Sequence, residues 1–198
     1  MKIGILALQG DFNKHRLILE QLELEQSLVR YPSDLNHVGG LIIPGGESTT
    51  MTKLMDRAGF YEPITSFANT NPVLGTCAGL IMMSSQAKDK RIKTLGVIDV
   101  DVERNASGRQ IHSICEPINI EINGKLQLTE ATFIRAPIIV RHGPNVNVLA
   151  TFNDAPCAVQ SGLHLGLTFH PELNGVTIFH ELLFKKLVAL KEERIHAA

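Results

Sequence analysis

The segment Pro72-Val73-Leu74-Gly75-Thr76-Cys77-Ala78-Gly79 joins an apolar run to a cysteine with a glycine two places away on either side. Small residues at those two positions allow a sharp strand-to-helix turn, a nucleophile elbow, with the middle side chain carried at its tip. Glycine suits so tight a bend because a side chain would strike neighbouring backbone. The same turn aims the Ala78 amide at whatever atom the sulfur attacks. A strand leading into an elbow and then a helix is the repeating unit of a doubly wound α/β sheet, and the chemistry it prepares is acyl transfer to sulfur.

Moving outward, the neighbouring apolar runs are continuous rather than alternating, as strands buried on both faces of a parallel sheet should be. Ile3-Gly4-Ile5-Leu6-Ala7-Leu8 ends at Gln9-Gly10, and a helix is predicted from about Phe12 to Gln26. Leu28–Tyr31 and Leu41–Pro44 read as further strands, the second ending at Gly45-Gly46. Ser48 is the expected N-cap of a helix reaching roughly Ala58. Farther on, Val97–Glu103, Ile114–Ile122, Ala131–Ala136 and Val148–Phe152 suggest a smaller antiparallel extension, with Asn123-Gly124 as one of its turns. Pro156–Gln160 and His164–Phe169 return to the main sheet, and Val176–Glu193 reads as a long amphipathic last helix. No repeat, low-complexity tract or linker interrupts the chain, so one domain over residues 1–198 is expected.

A thiol needs a base, because a free cysteine is mostly protonated at neutral pH with a pKa of about 8.5. Thr168-Phe169-His170-Pro171-Glu172 offers one. The imidazole can take the thiol proton and return it to a leaving amine, while a carboxylate two residues on orients the ring. The alternatives for His170 and Glu172 are a metal site or a hydrogen-bonded core histidine. No second histidine lies at a metal-binding spacing, which disfavours zinc. Cys115 and Cys157 have no such surroundings and read as structural. His15, His37, His112, His142, His164 and His180 read as surface or packing residues.

Gly45-Gly46-Glu47-Ser48-Thr49-Thr50 also follows a strand and opens a helix. Its amides can cradle an oxyanion or a carboxylate, and loops at the carboxyl ends of neighbouring strands share one crevice. It lacks the Gly-Lys-Ser/Thr ending of a phosphate-binding loop. Arg104 and Arg135, at expected strand ends, can pair with a substrate carboxylate or simply be solvated charges.

Composition narrows the classes. Lys+Arg 19 against Asp+Glu 20 gives a net charge of −1, which argues against nucleic acid or an anionic membrane as partner. The first apolar run is too short to span a bilayer and has no cleavage pattern of a signal peptide. Three widely spaced cysteines make no disulfide framework, so a reducing, cytoplasmic setting is expected. The reading calls for no metal and no cofactor.

Taken together, these segments resemble the glutaminase subunits of pyridoxal 5'-phosphate synthase, within the class I glutamine amidotransferases. The resemblance runs from Ile3 to the last helix. Pro44–Thr50 and Gly75–Gly79 carry it, with Glu103-Arg104-Asn105, Gly108-Arg109-Gln110, Phe133–Pro137 and Phe169–Leu173. It implies Cys77 as nucleophile, His170 as base and Glu172 as its orienter. Gly46, Glu47, Ser48, Arg104, Ile134 and Arg135 match the family's glutamine contacts, and Gly45, Gly46 and Ala78 its oxyanion hole. It also implies a (β/α)8-barrel synthase partner in a double-ring assembly that takes up the ammonia, and slow glutamine hydrolysis before docking. A flip of the Gly45–Gly46 peptide is the expected switch. Ser107, Ile114 and Asp11–Lys14 depart from the family's usual residues.

Overall fold

The computed structural model describes residues 2–104 and 113–185. The first half alternates strands and helices: β1 (Ile3–Leu6), α1 (Phe12–Gln21), β2 (Gln26–Val29), β3 (Gly40–Ile43), α2 (Ser48–Arg57), α3 (Tyr61–Ala68), β4 (Val73–Thr76) and α4 (Ala78–Met83). Strands dominate the second half. They are β5 (Ser84–Ala87), β6 (Ile98–Glu103), β7 (Ile114–Ile122), β8 (Lys125–Phe133), β9 (Ile138–His142), β10 (Asn147–Phe152), β11 (Ala155–Ser161) and β12 (His164–Leu167). A 3₁₀ turn, Pro171–Leu173, and the short α5 (Ile178–His180) follow, and α5 runs on into a π-helical turn, Glu181–Lys185.

The main sheet has the strand order β10-β11-β12-β4-β3-β1-β2. β2, β1, β3, β4 and β12 are mutually parallel, and β11 and β10 add an antiparallel edge. β5, β6 and β9 form a second sheet, and β7 and β8 pair as a hairpin from Ile114↔Phe133 to Ile122↔Lys125. Asn123 and Gly124 make its turn, both at positive φ (53° and 73°), as a two-residue turn matching strand twist requires. The expected doubly wound, mainly parallel fold with an antiparallel part is therefore the observed one.

The continuous apolar strands have a simple cause. Ile3, Ile5, Ile42 and Leu74 point into a core with Leu19, Phe169, Phe179 and Phe184. Leu6, Leu41, Ile43 and Val73 point the other way, against Met51, Met55, Phe60 and Leu80. Each such side chain taken fully out of water stabilises the fold by about 1.5–3 kcal/mol. Among the described residues, no helix is long and apolar enough to cross a membrane.

Several boundaries differ from expectation. α1 stops at Gln21, not Gln26, because Glu23 turns into positive φ (58°) and β2 begins at Gln26. The helix α3 and the strands β5 and β9 have no counterpart in the sequence reading. β8 occupies Lys125–Phe133, so the strand expected at Ala131–Ala136 is shifted towards the hairpin turn. Residues Asn105, Ser107, Gly108-Arg109-Gln110 and His112, and the last helix beyond Lys185, lie outside the described residues.

Candidate active site

Four neighbouring parallel strands, β12, β4, β3 and β1, end at the same edge of the sheet and release four loops side by side. These carry His170 and Glu172, Cys77, Gly45-Gly46 and Gln9-Gly10. The crevice at the carboxyl ends of a doubly wound sheet is thus built from the segments the sequence singles out.

Cys77 sits at φ 49°, ψ −105°, a strained conformation for a residue with a side chain. Its amide donates to the Leu167 carbonyl at 2.8 Å, which fixes the elbow to β12. The bend is possible because Gly79 packs directly on the Ile43 carbonyl, where any Cβ would collide. Ala78 is the first residue of α4, so its N–H has no acceptor within the helix and stays available at the tip of the elbow.

His170 hangs from a hydrogen bond of its amide to the Thr132 carbonyl, 2.9 Å, and its ring faces the Cys77 sulfur. Nδ1 bonds Glu172 Oε1 at 2.7 Å. Burial works against a charge on this imidazole, but the Cys77 sulfur and the Glu172 carboxylate outweigh it and raise the pKa to about 10. For Glu172, burial alone would raise the carboxyl. The two imidazoles on its Oε1, His15 and His170, instead hold it below the usual carboxylate range. Gly45 lies against the His170 ring so closely that a side chain there would strike it.

Gly46, Glu47, Ser48, Cys77, Ile81, Arg104, Ile134 and Arg135 line one cleft beside the sulfur. It is narrow, about 40 Å³. The Ile134 carbonyl stands 4.0 Å from the sulfur at its mouth. A larger cavity of about 340 Å³, lined by Phe133, Phe152 and Cys157 among others, contains none of Cys77, His170 and Glu172.

Glu47, not Ser48, is the N-cap of α2. Its carboxylate accepts from the amides of Thr49 (3.1 Å) and Thr50 (2.7 Å) and from both hydroxyls. Burial opposes the charge, yet these bonds bring its pKa down to about 2. Arg104 Nη2 pairs with Glu47 Oε1 at 2.9 Å, and its Nη1 lies 3.6 Å from Asp89 Oδ2. Ser48 is buried as the first residue of the helix. Arg135 is exposed, with φ 45°.

The sequence profile of the SNO glutamine amidotransferase family matches residues 5–189. The chain belongs to that family. Among its relatives is "Pyridoxal 5'-phosphate synthase subunit PdxT" of Thermosipho africanus, 46% identical over 182 residues, covering 91% of this chain and 96% of that protein. The protein of the same name from Koribacter versatilis is 47% identical over 185 residues, covering 93% and 95%. A crystal structure titled glutamine amidotransferase superposes with a TM-score of 0.86 at 38% identity, over 92% of this chain and 97% of that one. PurLQS from Thermotoga maritima shares the fold alone, at a TM-score of 0.67 and 17% identity.

In this SNO-family amidotransferase His15, Thr76 and Gln9 also stand beside the candidate site. His15, expected as a surface or packing residue, is fully buried against Glu172, Thr76 and His180. Its place on α1 is legible in hindsight, since His15, Ile18 and Leu19 share the buried stripe at spacings of three and four. Thr76 accepts the Gly45 N–H at 3.1 Å, so that amide is already committed, whereas the Gly46 amide has no acceptor among the described residues. Gln9 brackets Glu47, its Oε1 accepting the Glu47 N–H at 3.2 Å. Among the described residues, no group of three or more His, Cys, Asp or Glu is arranged to hold a metal.

Proposed function

We propose that this glutamine amidotransferase frees ammonia from L-glutamine by acyl transfer to Cys77, as the glutaminase subunit of a pyridoxal 5'-phosphate synthase. The observation that carries the reading is the Cys77–His170–Glu172 alignment at a cleft lined by Gly46, Ser48, Arg104 and Arg135. The sulfur, deprotonated by His170, attacks the side-chain amide carbon. The Ala78 and Gly46 amides hold the developing oxyanion, each such donor being worth roughly 3 kcal/mol. Collapse breaks the C–N bond, and His170 gives its proton to the departing ammonia. Water, activated by the same imidazole, then cleaves the glutamyl thioester to glutamate and restores the thiol.

Arg135 and the loop amides suit the α-carboxylate of the substrate. The Glu47 carboxylate is already engaged by Thr49, Thr50 and Arg104, so its contribution to glutamine is through its backbone and through the pose of Arg104. The ammonia acceptor in this reading is a (β/α)8-barrel synthase subunit of a double-ring assembly; the names of the relatives support a synthase partner, while the barrel and the ring are what the family resemblance implies. With that subunit present, Cys77→Ala should abolish pyridoxal 5'-phosphate synthesis from glutamine and leave synthesis from added ammonium intact. Glutamine-dependent synthesis that survives the substitution overturns the reading.

A further inference from the structure

His15 makes no contact with the cleft, yet its ring touches both halves of the site. Nε2 lies 3.5 Å from Glu172 Oε1 and 3.2 Å from Thr76 Oγ1, and Nδ1 lies 2.9 Å from His180 Nε2. All of these groups are buried. Only one placement of protons suits them. With a proton on Nδ1, His15 would turn a lone pair towards the Glu172 carboxylate. His180 would then accept at Nε2 and bury an Nδ1–H, although its Nδ1 has no partner among the described residues. With the proton on Nε2, His15 donates towards Glu172 and Thr76 and accepts at Nδ1 from His180 Nε2–H. The unpaired atom is then a lone pair on His180, a lesser cost than an orphaned N–H.

This arrangement links two things that must agree in space. Glu172 Oε1 is the atom that orients His170, and Thr76 Oγ1 is the atom that holds the Gly45 amide. Glu172 Oε2 has no hydrogen-bond partner among the described residues, so Oε1 alone anchors the carboxylate.

We propose that His15 is a positioning residue: an Nε2–H imidazole that fixes Glu172 and, through Thr76, the Gly45 turn in one mutual geometry. The proposal rests on the reading of Cys77, His170 and Glu172 as the reacting groups. Around the ring stand Glu172 from the 3₁₀ turn, His180 from α5, His170, and Asp11 at the head of α1. Burial outweighs the Glu172 and Asp11 carboxylates and holds His15 below the ordinary imidazole range; burial, with His15 beside it, does the same for His180.

The test compares wild type, His15→Leu and His15→Gln, the last keeping an N–H donor near the Nε2 position. His15→Leu should lower kcat for glutamate release ~10–100-fold, as loss of a residue behind a reacting group does, with KM within about twofold. Its acid limb in kcat/KM should move to higher pH, because Glu172 without that donor protonates more readily. His15→Gln should restore most of the rate and the limb. A folded His15→Leu with wild-type kcat and acid limb overturns the proposal, and so does a His15→Gln as impaired as His15→Leu with an unmoved limb. Should His15→Leu not fold, ¹⁵N-histidine spectra of the wild type decide. His15 should be the neutral Nε2–H tautomer at and around neutral pH. An Nδ1–H tautomer or protonation in that range overturns the assignment. Failure of the underlying reading looks different: the histidine spectra hold while the wild-type protein releases no glutamate.

Discussion

The protonation of His170 is pulled in opposite directions, by burial towards the neutral ring and by Cys77 and Glu172 towards the imidazolium. The second pull wins, to about 10. At neutral pH the ring is then an imidazolium, a positive charge beside the Cys77 sulfur. Iodoacetamide should alkylate Cys77 at neutral pH faster than it alkylates Cys157. Cys157 is the internal control, since burial pushes its thiol up to about 12 and it should stay unmodified. Glu172→Gln should slow alkylation of Cys77 at neutral pH and lower glutamate release on the order of 10³–10⁴-fold, the scale seen when a tautomer-fixing carboxylate is lost. Peptide mass spectrometry reads the first effect. A Glu172→Gln protein with unchanged alkylation of Cys77 would mean that the carboxylate does not govern the pair.

At the level of single elements, Glu47 shows how local chemistry can outrun a sequence rule. Ser48 is the statistically favoured cap, but the longer Glu47 side chain folds back onto four donors from Thr49 and Thr50 and takes the position. Glu47→Ala should cost about 1 kcal/mol of stability, the usual worth of a cap. The pH dependence follows from the sign of the shift: the carboxyl falls from an ordinary 4.5 to about 2 on folding. Its contribution is therefore fully present above 4.5 and is lost as pH falls towards 2. Denaturant titrations of wild type and Glu47→Ala should differ most near neutrality and converge in acid. A constant difference down to about pH 2 would show that the charge is not what caps α2. The elements legible in the sequence were those with a local signature: the apolar parallel strands, the elbow, the Asn123-Gly124 hairpin. The α3 helix is short and contains Pro63, β5 is the polar run Ser84-Ser85-Gln86-Ala87, and β9 has only the three-residue apolar run Ile138-Ile139-Val140 before Arg141-His142. Partners distant in sequence specify these, as β6 does for both strands. Cys77 and the His170–Glu172 pair stand out in the sequence because each carries a local pattern, flanking glycines for the one and a carboxylate two residues on for the other. His15 does not, because its meaning depends on α5 and β4 arriving beside it.

Over the whole molecule, the cleft poses a problem that the reacting groups alone do not solve. It is narrow, about 40 Å³, and the Ile134 carbonyl stands 4.0 Å from the sulfur at its mouth. A glutamine site here calls for a more open arrangement, and the population of that arrangement scales the observed affinity and rate. The walls that would have to part belong to different units: Gly46–Ser48 to the main sheet's loops, Arg104 to the end of β6, Ile134 and Arg135 to the segment after β8. A partner that binds the open arrangement better than the closed one would shift the balance without adding a single reacting group. Addition of the proposed synthase subunit should accordingly raise glutamate release by about tenfold or more and speed alkylation of Cys77 by a similar factor, since both need the same access. The two readouts separate the possibilities. Faster turnover with unchanged alkylation would place the effect on the oxyanion amides rather than on the opening of the cleft. No change in either would mean that the free chain opens readily by itself, and the narrowness of the cleft would then carry no regulatory meaning.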